Sequence, residues 1–210
     1  MKARPPAQAG QLAAQGVGQP AGATEPDLRL ACVTQRCGAE AFALLPALSP
    51  RCAALIAPSF TEPEALLAAA GVPIEHVVLD PPFGLAGARV PEQADLVVVG
   101  NPTNPTGVTH TRADILALRR PGRLLVVDEA FADAIPGEPQ SLAGQRLDPA
   151  DGDVLVLRSL TKTWGLAGLR VGYALGDPAL LTRLAARRQH WPVITLALEA
   201  IAACCAPEAV

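Results

Sequence analysis

Short apolar runs of strand length recur along the chain: Leu96–Gly100 (LVVVG), Leu124–Val127 (LLVV), Val154–Leu157 (VLVL) and Val171–Leu175 (VGYAL). A strand covered on one face alternates apolar and polar residues, so continuous runs such as LVVVG imply strands covered on both faces. Further strands are predicted at Leu28–Thr34, Ala53–Ala57 and Glu75–Leu79. Between and after these runs lie helical segments at Ala39–Leu45, Glu62–Ala70, Thr111–Arg120, Pro178–Gln189 and Thr195–Cys205. Thr111 is placed as an N-cap, with Asp114 at the third helical position. This alternation predicts a three-layer α/β/α sandwich with a mostly parallel sheet and right-handed crossovers.

Composition narrows the function classes. Seventeen basic residues stand against twenty acidic ones, a net charge of −3, so the clustered basic face of a nucleic-acid binder is missing. No run reaches the ~20 apolar residues that cross a bilayer. Met1–Pro20 is polar and rich in Pro, Gly and Gln, unlike a secretory signal, and a cytosolic protein is expected. Residues 1–27 lack a hydrophobic period and are expected to form a disordered leader. The five cysteines, at 32, 37, 52, 204 and 205, make no C-x-x-C pair and are expected to be reduced thiols. His76, His110 and His190 fit no metal-ligand spacing.

In open α/β sheets ligands bind beyond the carboxyl ends of the strands, and chemistry follows three of the runs. After LVVVG comes Asn101-Pro102-Thr103-Asn104-Pro105-Thr106-Gly107, a loop stiffened by two Asn-Pro steps and released by the permissive φ of Gly107. It is suited to aiming an Asn amide at a ligand. After LLVV comes Asp128-Glu129-Ala130-Phe131. A carboxylate at the end of a buried strand is costly without a cation, so a positive group is expected to meet Asp128. After VLVL, the segment Ser159–Gly172 holds Ser159, Thr161, Lys162 and Arg170 among glycines. Two hydroxyls and a guanidinium suit a phosphate, and a lysine beside them suits imine chemistry with a carbonyl. Upstream, Cys37-Gly38-Ala39-Glu40 enters a helix whose first amides could add to an anion site.

These three ordered segments, with Asn104, Asp128 and Lys162 spaced by 24 and 34 residues, resemble the signature segments of the class I/II aminotransferases, which are fold-type I pyridoxal-phosphate enzymes. The resemblance covers roughly residues 28–210. Its wording is closest to the cobalamin-biosynthetic threonine-phosphate decarboxylase branch, with histidinol-phosphate aminotransferases as the alternative. It implies pyridoxal 5'-phosphate as cofactor, Lys162 as the amine that bonds to its aldehyde, and Asp128 as the partner of its ring nitrogen. Asn104 is implied as donor to the phenolic oxygen, and Phe60 as the aromatic on the ring face. Ser159, Thr161 and Arg170, helped by the amides of Gly38 and Ala39, are implied as the phosphate grip. A small phosphorylated amino compound is the implied substrate, and a homodimer the implied assembly.

The sequence departs from the family at three places. Phe131 stands where many members have a Tyr that bonds the phenolic oxygen. Arg36 and Cys37 crowd a turn that is otherwise small and Gly-containing. Residues 28–193 match the cofactor-binding large domain, and 194–210 match the start of the interdomain helix, so the small C-terminal domain and its substrate-binding arginine are expected to be missing. A catalytically inactive remnant of the domain is the competing expectation.

Overall fold

The computed structural model describes residues 31–35, 38–145, 147–188 and 193–204. The expected leader, Arg36, Cys37 and His190 lie outside them. Seven strands form one sheet: β1 (Ala31–Gln35), β2 (Ala53–Ala57), β3 (Ile74–Val78), β4 (Leu96–Gly100), β5 (Leu124–Asp128), β6 (Asp153–Ser159) and β7 (Gly172–Gly176). Their order is β1-β7-β6-β5-β4-β2-β3. The strands from β3 to β6 are parallel, and β7 runs antiparallel to both β6 and β1. The sheet is therefore mostly parallel within a three-layer architecture, as the alternation of segments predicts.

The apolar runs are continuous because alternate residues feed two cores. Leu96, Val98, Leu155 and Leu157 pack on one face, against Phe42 of helix α1 (Gly38–Leu44), Leu67 of α2 (Glu62–Ala69) and Leu184 of α4 (Pro178–Ala185). Val97, Val99, Val154 and Val156 pack on the other, against Ile115 of α3 (Arg112–Leu116) and Leu142. Leu155 is fully enclosed, and truncating such a side chain to Ala costs about 2–5 kcal/mol. A third, smaller core joins Ala197 and Ile201 of α5 (Thr195–Cys204) to Leu160 and Val171, which flank the Lys162 loop.

Thr111 caps α3 as expected: its Oγ1 accepts from the Asp114 N–H at 3.1 Å and donates to the Asp114 carboxylate at 2.6 Å. The helix ends at Leu116, however, four residues before the predicted Arg120. Pro121 disfavours helical backbone at Arg120, and Arg119 turns away to donate to the Gly152 carbonyl at 2.9 Å. Helix α4 likewise stops at Ala185. Cys52 is buried and Cys204 half-buried, both as free thiols, and burial pushes both upward in pKa. No helix among the described residues is long and apolar enough to cross a membrane.

Candidate active site

Parallel strands β4, β5 and β6 deliver their last residues, Gly100, Asp128 and Ser159, to one edge of the sheet. A cleft open to solvent lies there. Ala39, Phe60, Asn104, Asp128, Ser159, Thr161, Lys162 and Arg170 all line it. Gly38 opens the helix that carries Ala39. Residues as far apart in sequence as Ala39 and Arg170 thus meet where the strand order predicts a ligand.

The Asn101–Gly107 loop is held from beneath. Gly100 gives the loop room, since a Cβ there would press on the Thr103 Cα at 3.3 Å. Gly107 takes the expected positive φ, +72°, as its N–H closes onto the Thr103 carbonyl at 2.7 Å. Thr103 Oγ1 donates its single proton to the Gly100 carbonyl at 2.9 Å. The 3.1 Å contact between His110 Nε2 and Thr103 Oγ1 is consequently a bond donated by the imidazole. Asn101 Oδ1 accepts from the His110 backbone N–H at 2.8 Å. Asn101 is thereby absorbed into the scaffold, whereas Asn104 stays exposed at the cleft. Burial pushes His110 below its ordinary pKa, against the pull of Asp114.

Asp128 has a different environment. Burial pushes its carboxyl up to about 6, against the Ala130 N–H, which it accepts at 3.1 Å, and against the charge of Lys162. The nearby carboxylates Glu129 and Glu62 push it further in the same direction. The expected positive neighbour is Lys162, but among the described residues no cation comes within ion-pair distance of Asp128. An acid so placed gains from a cation brought in by a ligand. The exposed Lys162 rests its Nζ 5.2 Å from the centroid of the Phe131 ring, a cation–π contact. The ring that replaces the family's Tyr therefore serves as a seat for the lysine.

The anion-binding side is built from neighbours of Lys162. Ser159 Oγ and Thr161 Oγ1 lie 2.6 Å apart, and the Thr161 N–H donates to Ser159 Oγ at 3.3 Å. Both hydroxyls are buried, while Arg170, in left-handed backbone at φ 53°, sits exposed at the cleft. Phe60 is 41% exposed and forms part of the cleft wall. Of the histidines considered as metal ligands, His76 pairs with Glu64 at 3.2 Å and His110 is buried behind the loop.

Sequence reasoning missed one feature next to the cleft. Glu129 is fully buried, and its partner Arg158 is 1% exposed. Arg158 also bonds Asp133 and Glu138. Glu62 adds a further carboxylate to the cleft wall. The signal for the buried pair was legible: opposite charges directly beyond Asp128 and directly before Ser159, at the ends of two adjacent apolar runs.

The family model described as aminotransferase class I and II matches residues 53–209. The chain belongs to that family. A histidinol-phosphate aminotransferase of Mycobacterium tuberculosis is 67% identical to this chain over 172 residues, 82% of the chain and 46% of the relative. A threonine-phosphate decarboxylase of a Sinorhizobium species is 38% identical over 157 residues, 71% of the chain and 44% of the relative. The sequence wording favours the decarboxylase branch, whereas the identity is higher to the histidinol-phosphate aminotransferase. The chain spans about half the length of these relatives. Among solved structures, the histidinol-phosphate aminotransferase of Clostridium acetobutylicum superposes with a TM-score of 0.71 at 22% identity, over 84% of this chain and 55% of that one. The L-threonine-O-3-phosphate decarboxylase of Porphyromonas gingivalis gives the same TM-score and identity over 98% and 60%. Both report a shared fold.

Pyridoxal 5'-phosphate is the cofactor of this family, and the donor set fits it. The cleft offers an amine for an aldehyde, a carboxylate for a basic ring nitrogen, an amide for a phenolic oxygen, and two hydroxyls with a guanidinium for a phosphate.

Proposed function

We propose that the chain is the cofactor-binding large domain of a pyridoxal-phosphate-dependent aminotransferase acting on a phosphorylated amino compound, of which histidinol phosphate is the foremost candidate, with a 2-oxo acid as amino acceptor. The observation that carries this reading is the convergence of Lys162, Asp128, Asn104 and the Ser159–Thr161–Arg170 cluster on one cleft. Preference for histidinol phosphate is supported by the 67% identity to relatives of that name, against 38% and 43% for the two threonine-phosphate decarboxylases.

When bound, pyridoxal phosphate supplies a sink for the electron pair left on the substrate Cα. The chain's own residues do the rest. Ser159, Thr161 and Arg170 bind the phosphate by charge-assisted hydrogen bonds. Asp128 holds a proton at the ring nitrogen. Asn104 donates its amide to the phenolic oxygen, and Phe60 covers the ring face and excludes water from it. Lys162 Nζ would hold the cofactor through its aldehyde and would carry the proton taken from the substrate Cα.

The experiment is a spectral titration of the chain with pyridoxal phosphate, followed by turnover assays. A visible absorption band that Lys162→Ala abolishes is expected, with amino transfer from histidinol phosphate to 2-oxoglutarate and no carbon dioxide from threonine phosphate. Carbon dioxide release from threonine phosphate would favour the decarboxylase reading. A band without any reaction of an amino substrate would favour an inactive remnant.

A further inference from the structure

The buried charges behind the cleft are unused by the proposed chemistry. Asp128 of β5 lies opposite Leu157 of β6 in the parallel register, and the Glu129 N–H donates to the Leu157 carbonyl at 2.9 Å. Immediately beyond that point β5 ends, while β6 continues through Arg158 and Ser159 in its pairing with β7. There Arg158 Nη1 donates to Glu129 Oε2 at 3.0 Å. The same nitrogen donates to Glu138 Oε2 at 2.7 Å, and Nη2 donates to Asp133. Glu129 in turn accepts from Ser141 Oγ and the Leu142 N–H, each at 2.6 Å. Glu138 is held in left-handed backbone, at φ 43°. One guanidinium therefore gathers the end of β5, the start of the following loop at Asp133 and its return at Glu138 and Ser141.

Placement gives this cluster its meaning. Glu129 is chain neighbour to Asp128, and Arg158 is chain neighbour to Ser159. The loop they clamp carries Ala130 and Phe131 on the cleft wall, with Phe131 beneath Lys162. A ligand held at one end by Asp128 and at the other by Ser159 and Thr161 gains from both only when their separation matches its own length. That is the condition under which two anchors add.

We infer that Arg158 is a positioning residue, which with Glu129, Asp133 and Glu138 fixes the distance between the nitrogen anchor and the phosphate anchor of the cleft. This rests on the proposed cofactor reading and concerns residues that touch no ligand. Their fixed geometry comes from desolvation as well as charge, because a buried pair stripped of one partner leaves a charge uncompensated and free to rearrange its surroundings.

Three probes test it on the full chain: pyridoxal phosphate, which spans both anchors, and its two halves, pyridoxal and inorganic phosphate. Binding of the first two is read from the visible band and of phosphate by calorimetry, well below each variant's unfolding midpoint. Arg158→Gln is expected to weaken pyridoxal phosphate by about tenfold or more, while pyridoxal and phosphate each stay within about twofold of wild type. Glu138→Gln, which removes one arm at a partly buried position, is expected to show the same pattern at about threefold, and it serves if Arg158→Gln does not fold. Arg158→Lys should restore part of the loss. Wild-type affinity for pyridoxal phosphate in both variants, or equal loss for all three probes, would overturn the inference. Should wild type itself give no band sensitive to Lys162→Ala, the cofactor reading fails instead.

Discussion

Two aspartates at opposite ends of the same sheet show how differently the protein treats a carboxylate. Asp95 stands just before β4, at the amino ends of the strands. Burial would raise its pKa, yet the Arg51 side chain at 2.9 Å and the backbone N–H groups of Cys52 and Arg51 hold it below the ordinary value. Nearby Arg123 is equally settled, donating to the carbonyls of Ala94, Leu118 and Pro91. Asp128, at the carboxyl end of β5, accepts one backbone N–H and is pushed up to about 6. The amino end spends its charges on the fold, and the carboxyl end keeps one acid poised for something that is not part of the chain. Perturbed acids in clefts are where ligands act.

The sharpest way to break this contrast is Asp128→Asn. Loss of a buried charge partner is expected to weaken pyridoxal phosphate by roughly 100-fold, about 3 kcal/mol, in a spectral titration at pH 7.5. The ligand-free chain should respond in the opposite sense. A pKa raised from 3.8 to about 6 on folding gives a contribution that is fully present below pH 3.8 and lost as pH rises through 6. Wild type should thus lose up to about 3 kcal/mol of stability between pH 4 and pH 8 from this group, and Asp128→Asn should lack that slope in denaturant melts.

Asp95→Asn should do the reverse, with a smaller effect. Its lowered pKa gives stability that is present above the unfolded value of 3.8 and lost as pH falls through the folded one. A cost of about 1–2 kcal/mol at neutral pH is expected, shrinking in acid, with cofactor affinity untouched. Smaller again, Thr111→Ala should remove about 1 kcal/mol by uncapping α3, again without change in the cofactor band. Least of all, Phe131→Leu should slow capture of pyridoxal phosphate by two- to threefold, matching the ~0.5 kcal/mol of an exposed cation–π contact.

Much of the fold could be read from the sequence because the signals were local. Leu96–Gly100 and Ala53–Ala57 have the predicted bounds, since strands covered on both faces are uniformly apolar and end where the chemistry starts. The overlong prediction for α3 arose because Arg119 and Arg120 are good helix formers. Pro121 and the distant Gly152 carbonyl decide otherwise, and the second of these is a tertiary contact that no local pattern contains. The antiparallel setting of β7 was equally hidden, because pairing direction leaves no mark on an apolar run. At the site, Asn104, Asp128 and Lys162 each follow an apolar run, and the structure brings all three to one cleft. The charges of Glu129 and Arg158 were visible, but their joining depends on the β5–β6 register and on Glu138 returning from a turn.

The most direct test is covalent. The chain has two lysines, Lys2 and Lys162. Borohydride treatment after addition of pyridoxal phosphate, followed by peptide mass mapping, should place one label per chain on Lys162, with free phosphate reducing the yield. A label on Lys2, or none on either lysine under conditions where the chain is folded, would contradict the assignment of this cleft.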